Sequence, residues 1–240
     1  MEWDVQNFIL ANTILIISSI LQRVTGVSVG MIIVPFLALI DYSLIPVPIV
    51  FASLSLTLLM AYQGRANIDF QSSKRILIGM TAGIFLSVLI LSKIDFEYLG
   101  LLFGSFILLS VLISLKIKGF VLKNGTIYIG GLLAGIMGTM AAVGGQILAL
   151  IYQNHPLPVI KATLASLYSF FSIIMLLIFY FYDQFSIEQL ISGLMMMPGF
   201  IIGFLISPMF TKHFNPKYTK SVVLSMATIG ALLLIYQSLF

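Results

Sequence analysis

Six stretches of this chain, about 46–63, 76–93, 97–117, 160–182, 188–210 and 219–239, run for roughly 20 residues with charge confined to their ends. As helices rising ~1.5 Å per residue, such stretches cross the ~30 Å hydrocarbon core of a bilayer. No water pairs with backbone N–H and C=O groups in that core, so an apolar span closes its hydrogen bonds internally, as a helix does. Composition agrees: 60% of the 240 residues are hydrophobic and 8% are charged, against about 25% charged in a soluble domain. The expected fold class is an all-α polytopic membrane protein, with one transmembrane domain over residues 1–240 and a multi-pass place in the cytoplasmic membrane.

Other features narrow the function. The chain has no cysteine, which excludes disulfides, thiolate metal sites and thiol catalysis. No metal site or cofactor is expected. A net charge of +4 that is scattered along the chain excludes nucleic acid as a partner and instead reports orientation. The bilayer itself and a small solute are the expected partners, and a homo-oligomer stays open. The start, Met1-Glu2-Trp3-Asp4, is acidic where a signal peptide needs basic residues, so the first apolar run is expected to be retained.

Two further apolar stretches are interrupted. Residues 7–40 break at Arg23-Val24-Thr25-Gly26-Val27-Ser28-Val29-Gly30, and 126–153 break at Gly138-Thr139-Met140-Ala141-Ala142-Val143-Gly144-Gly145-Gln146. The flanking pieces read as half-helices too short to cross. Lysine and arginine test this. Nine of the twelve lie in the links 64–75, 116–123 and 211–220, which the positive-inside rule places in the cytoplasm. The links at 93–97 and 182–188 then lie outside. With one sound crossing between residues 123 and 183, the stretch 126–153 must enter and return. By analogy 7–40 is a hairpin from the opposite face.

The halves, about 7–118 and 124–240, therefore share one order: a broken-helix hairpin, then three crossings. Gly79-x-x-x-Gly83 recurs as Gly199-x-x-x-Gly203, a spacing that lets helices approach closely. The basic and acidic links alternate in opposite sense in the two halves. The expected architecture is an inverted-topology repeat, as in many secondary transporters.

A hairpin that turns inside the membrane aims the N-terminus of its second helix at the bilayer centre. Free N–H groups and the helix dipole make that end an anion site. Here the ends begin near Gly26–Gly30 and Ala142–Gln146. Gly26, Gly30, Gly144 and Gly145 let backbone approach a ligand, while Thr25, Ser28, Thr139 and Gln146 add hydrogen-bonding side chains. The eight acids, Glu2, Asp4, Asp41, Asp69, Asp95, Glu97, Asp183 and Glu188, all lie at termini or links, so a cation would find no partner at depth. Arg23 either balances the charge of an anion or caps the carbonyls of its own half-helix. Lys161 is a candidate for attracting anions at the cytoplasmic mouth; Asn154 and His155 sit at the rim of the second hairpin. Tyr62 and Gln63 read as structural, and the tyrosines in general as lipid-facing.

These hairpins resemble those of the TauE/SafE sulfite-exporter family. A glycine cluster followed by apolar residues and proline is matched in part by Gly26-Val27-Ser28-Val29-Gly30-Met31-Ile32-Ile33-Val34-Pro35, with Ser28 and Val29 where the family has glycines. The second signature resembles Gly144-Gly145-Gln146 and Lys161-Ala162-Thr163-Leu164, with Gln146 for a frequent proline and Lys161 for a frequent arginine. Pro198-Gly199 to Gly203 resembles a late segment. The resemblance implies a transporter of sulfite, sulfonates or related sulfur oxyanions. No carboxylate lies where a proton relay needs one, so export driven by voltage, with weak or no proton coupling, is expected. The alternative is an intramembrane enzyme acting on a lipid-like substrate.

Overall fold

The computed structural model describes residues 4–94, 98–116, 126–211 and 216–239. Ten α-helices follow one another: α1 (Val5–Thr25), α2 (Gly30–Ala38), α3 (Val47–Gly64), α4 (Phe70–Leu91), α5 (Leu99–Lys116), α6 (Thr126–Ala141), α7 (Gly145–Tyr152), α8 (Leu157–Phe181), α9 (Ile187–Thr211) and α10 (Pro216–Leu239). Among the described residues there is no strand, and seven helices are long and apolar enough to cross a membrane. They include all six expected crossings. Large apolar side chains on their outer faces, such as Phe181, Met209 and Leu205, are exposed, as lipid contact requires. Lys118, Lys123, Lys212, Asp95 and Glu97, used above to orient the chain, lie outside the described residues.

Three boundaries differ from expectation. The seventh crossing is α1, whose 21 residues make it a full span rather than a half-helix. Arg23 does not break it, because neighbouring groups satisfy its guanidinium. The helix stops at Gly26, in the left-handed region with φ 78°, whose N–H caps the Gln22 carbonyl at 2.7 Å. Helix α6 likewise runs through Gly138 and Thr139 and stops at Ala142, φ 54°. Each hairpin thus has one long arm and one short return, the returns having 9 and 8 residues. Helix α4 starts at Phe70 instead of 76, because the Asp69 side chain accepts from the N–H groups of Gln71 (3.1 Å) and Ser72 (3.2 Å). That cap fixes the first turns even though they carry Lys74 and Arg75. A reciprocal pair between Ser186 and Gln189 opens α9 in the same way.

Glycines set how the helices meet. Gly79 and Gly83 of α4 face Tyr128, Gly131, Leu132 and Gly135 of α6, backbone against backbone. Gly199 and Gly203 of α9 face Asn12, Leu15, Ile16 and Ser19 of α1. In both pairs residue numbers rise together, so α4 runs parallel to α6 and α9 parallel to α1. Helix α3 packs on α8 and α9, α4 also packs on α8, and α5 packs on α10. These contacts hold the two hairpins between them.

Candidate functional site

The hairpin tips touch. A Cβ on Gly30, the first residue of α2, would overlap the Ala142 carbonyl at the end of α6. A Cβ on Gly145, the first residue of α7, would lie 2.7 Å from both the Ser28 Cβ and the Tyr168 hydroxyl. At Gly30 the opposing backbone passes where a side chain would stand, and at Gly145 the Ser28 and Tyr168 side chains do. The Ser28 N–H donates to the Tyr168 hydroxyl at 3.1 Å, and the Gln146 side-chain amide donates to the Ser28 carbonyl at 3.4 Å. Tyr168 thus stands against both tips at once. With its oxygen accepting from Ser28, its proton can be donated elsewhere.

Beside this contact is a cavity of about 70 Å³, enough for a few waters or one small solute. Ser28, Gly30, Gly144 and Gly145 line it, as expected of the tips. Among the described residues no acidic or basic side chain does. Its other polar groups are Gln22, Ser53, Thr57, Tyr168 and Ser172, which the sequence reading missed. Ser53 and Thr57, and Tyr168 and Ser172, are each four apart on apolar helices and so share a face; that spacing is the signal that could have found them. Tyr168 was hidden among residues read as lipid-facing.

The remaining expected residues lie around the cavity rather than on it. Thr25 closes its own turn, donating to the Leu21 carbonyl at 2.9 Å and accepting from the Val27 N–H at 3.2 Å. Thr139 is fully buried with its hydroxyl unpartnered among the described residues, and so is the Gln146 side-chain oxygen. Gly26 packs on Lys161, where a Cβ would meet the lysine Cγ at 2.8 Å. Arg23 and Lys161 line a separate cavity. The Arg23 guanidinium donates to the Phe204 carbonyl (2.8 Å), the Ser207 hydroxyl (2.7 Å) and the Gln63 side-chain oxygen (2.9 Å), and lies 4.2 Å over the Phe204 ring. His155 packs at a tilt against Tyr152 at the rim, with ring centroids 5.1 Å apart and planes inclined at 58°.

With two glycine tips meeting inside a helical membrane domain, the comparison with known families becomes decisive. A model of the sulfite exporter TauE/SafE family matches residues 11–234. The chain belongs to that family. The match takes in both hairpins and all seven long helices. A TauE/SafE protein is a membrane transporter, not an enzyme, so the alternative of an intramembrane enzyme is set aside. No curated protein and no solved structure matches the chain.

Proposed function

We propose that this TauE/SafE protein exports a small sulfur oxyanion, with sulfite the best fit, across the cytoplasmic membrane, binding it between the hairpin tips. The observation that carries the reading is the meeting of both tips at Tyr168 beside a small cavity that no carboxylate lines among the described residues. Gly30 and Gly145 begin the two return helices at this cavity, so the partial positive ends of α2 and α7 favour an anion there. The hydroxyls of Tyr168, Ser28 and Ser172 offer donors to its oxygens; those of Ser53 and Thr57, which donate to the Val50 and Leu54 carbonyls, join them by turning. The volume suits an inorganic oxyanion better than a long-chain sulfonate.

The inverted repeat belongs to the same proposal. Exchanging the halves turns the α1–α9 contact into the α6–α4 contact, and it leaves α3 on α8 and α5 on α10. The left-handed residues that end the long arms, Gly26 and Ala142, stand at matching places. Two such hairpins, one from each face, provide the paired gates of alternating access. An inside-negative potential favours anion efflux by ~2.3 kcal/mol per charge per 100 mV, so no proton coupling is invoked.

Flux from sulfite-loaded proteoliposomes under an imposed voltage tests this. Outward movement that Gly145→Ala abolishes is expected, since the added methyl pushes Ser28 and Tyr168 apart. Equal flux in that variant would remove the tips as the site. Strong uptake driven by a pH gradient at zero voltage would overturn the absence of proton coupling.

A further inference from the structure

A second polar cavity lies at the end of the molecule that carries Arg65, Lys74 and Arg75, and the tip site leaves it unexplained. It measures about 340 Å³ and shares no lining residue with the cavity at the tips. Arg23, Gln63, Asn67 and Lys161 supply its polar lining, and no acidic residue among the described ones contributes. Arg23 is held rigidly by its three hydrogen bonds and the Phe204 ring, yet all three partners are neutral. Those bonds use three of its five N–H groups. Lys161 has no carboxylate partner among the described residues. Two cations thus share one cavity, each disfavouring the other's charge, with spare donors on both. An anion with several oxygens removes that repulsion and satisfies the donors, the rigid fork through two oxygens and the flexible ammonium through a third.

Position gives the cavity a role. Lys161 lies seven residues before Tyr168 on α8, roughly 10 Å along the axis, and Met60 lies one turn beyond Thr57 on α3. Gln22 on the tip cavity and Arg23 on this one are consecutive. We infer that this basic vestibule is a second anion site, which receives a small oxyanion one step before the tips. The inference rests on the reading that the cargo is an anion. Anions held at both sites repel one another, and that repulsion keeps binding at the tips from becoming a trap, as in multi-ion pores. A phospholipid phosphate has the same chemistry and is the other source of an anion here.

Calorimetric titration of the full-length protein with sulfite, under argon in an uncharged detergent, decides the matter. Wild type should bind two sulfites, and Lys161→Gln should lose one of them or weaken it on the order of tenfold. Lys161→Arg should keep both, which shows that the loss is of charge and not of folding. Gly145→Ala should lose the other sulfite only. Displacement of the Lys161-dependent sulfite by phosphatidylglycerol would assign a lipid headgroup as the resident anion of the same site. One sulfite in wild type, unchanged by Lys161→Gln, overturns the vestibule. Two sulfites in Gly145→Ala would instead overturn the tip cavity and leave the vestibule standing.

Discussion

Tyr168 is placed so that one hydroxyl serves both hairpin tips. Replacing it with phenylalanine leaves the half-buried Ser28 N–H without its acceptor, a loss of about 1 kcal/mol, and removes a donor from the cavity. Tyr168→Phe should fold and should raise the KM for sulfite flux by roughly tenfold, with a smaller effect on maximal rate; an unchanged KM would take the hydroxyl away from the cargo. At the rim, Asp69 has a different task. Burial raises its carboxyl, but hydrogen bonds from Ser72 and Gln71 and the charge of His155 outweigh burial and hold it below the usual range. A lowered folded-state value stabilises the protein above the unfolded pKa and is lost as pH falls through the folded one. Wild type should therefore melt higher than Asp69→Asn at neutral pH, by the roughly 0.3–1 kcal/mol that a carboxylate's charge adds at a helix N-terminus, since asparagine keeps the cap itself. The gap should narrow below about pH 4; thermal melts in detergent across pH would show it.

Among the elements, α9 explains Arg23. Helix α9 contains Pro208, which has no N–H to offer the carbonyl four residues earlier. That carbonyl is Phe204, the one that accepts from Arg23 and from the Ser207 hydroxyl at 2.9 Å. One turn back along α1, Ser19 donates to the Phe200 carbonyl at 2.9 Å. Near the other end, Asn12 donates to the Met195 carbonyl and accepts from the Gly199 N–H, beside Pro198. A polar stripe on α1 therefore repairs a proline-interrupted partner, which a helix in lipid needs. Arg23→Gln should lower stability by about 1–3 kcal/mol. In a Pro208→Ala background, where the backbone N–H returns, the same change should cost markedly less. Equal costs in both backgrounds, measured as a double-mutant cycle of melting, would dismiss the repair. Arg23 therefore caps no carbonyl of its own helix; it donates to one 181 positions away, and its remaining N–H groups are those the vestibule proposal assigns to an anion.

For the molecule as a whole, the proposed transport through the tips predicts that their contact opens to each side in turn. The absence of native cysteine makes single-thiol variants clean reporters. Ser28→Cys lines the tip cavity, whereas Thr139→Cys starts fully buried. A water-soluble maleimide should label Ser28→Cys from both faces of the membrane, with sulfite slowing the reaction, and should label Thr139→Cys much more slowly. Labelling of Ser28→Cys from one face alone, whatever the voltage or substrate, would rule out alternating access at this cavity.

The sequence by itself determined the solvent and the segmentation. A bilayer demands apolar length and internal backbone pairing residue by residue, so the six crossings and the two glycine breaks were legible without any knowledge of neighbours. The glycine spacing of α4 and α9 was legible too, because close helix approach needs only the missing side chain. What the polar side chains do was decided by tertiary structure. Tyr168 meets Ser28 across 140 positions and Arg23 meets Ser207 across 184. Nothing local separates a tyrosine at the lipid boundary from one between two hairpin tips, or an arginine that caps its own helix from one that repairs a carbonyl on another. In a medium without water, a polar group takes its role from whatever partner the folded chain brings within hydrogen-bond reach.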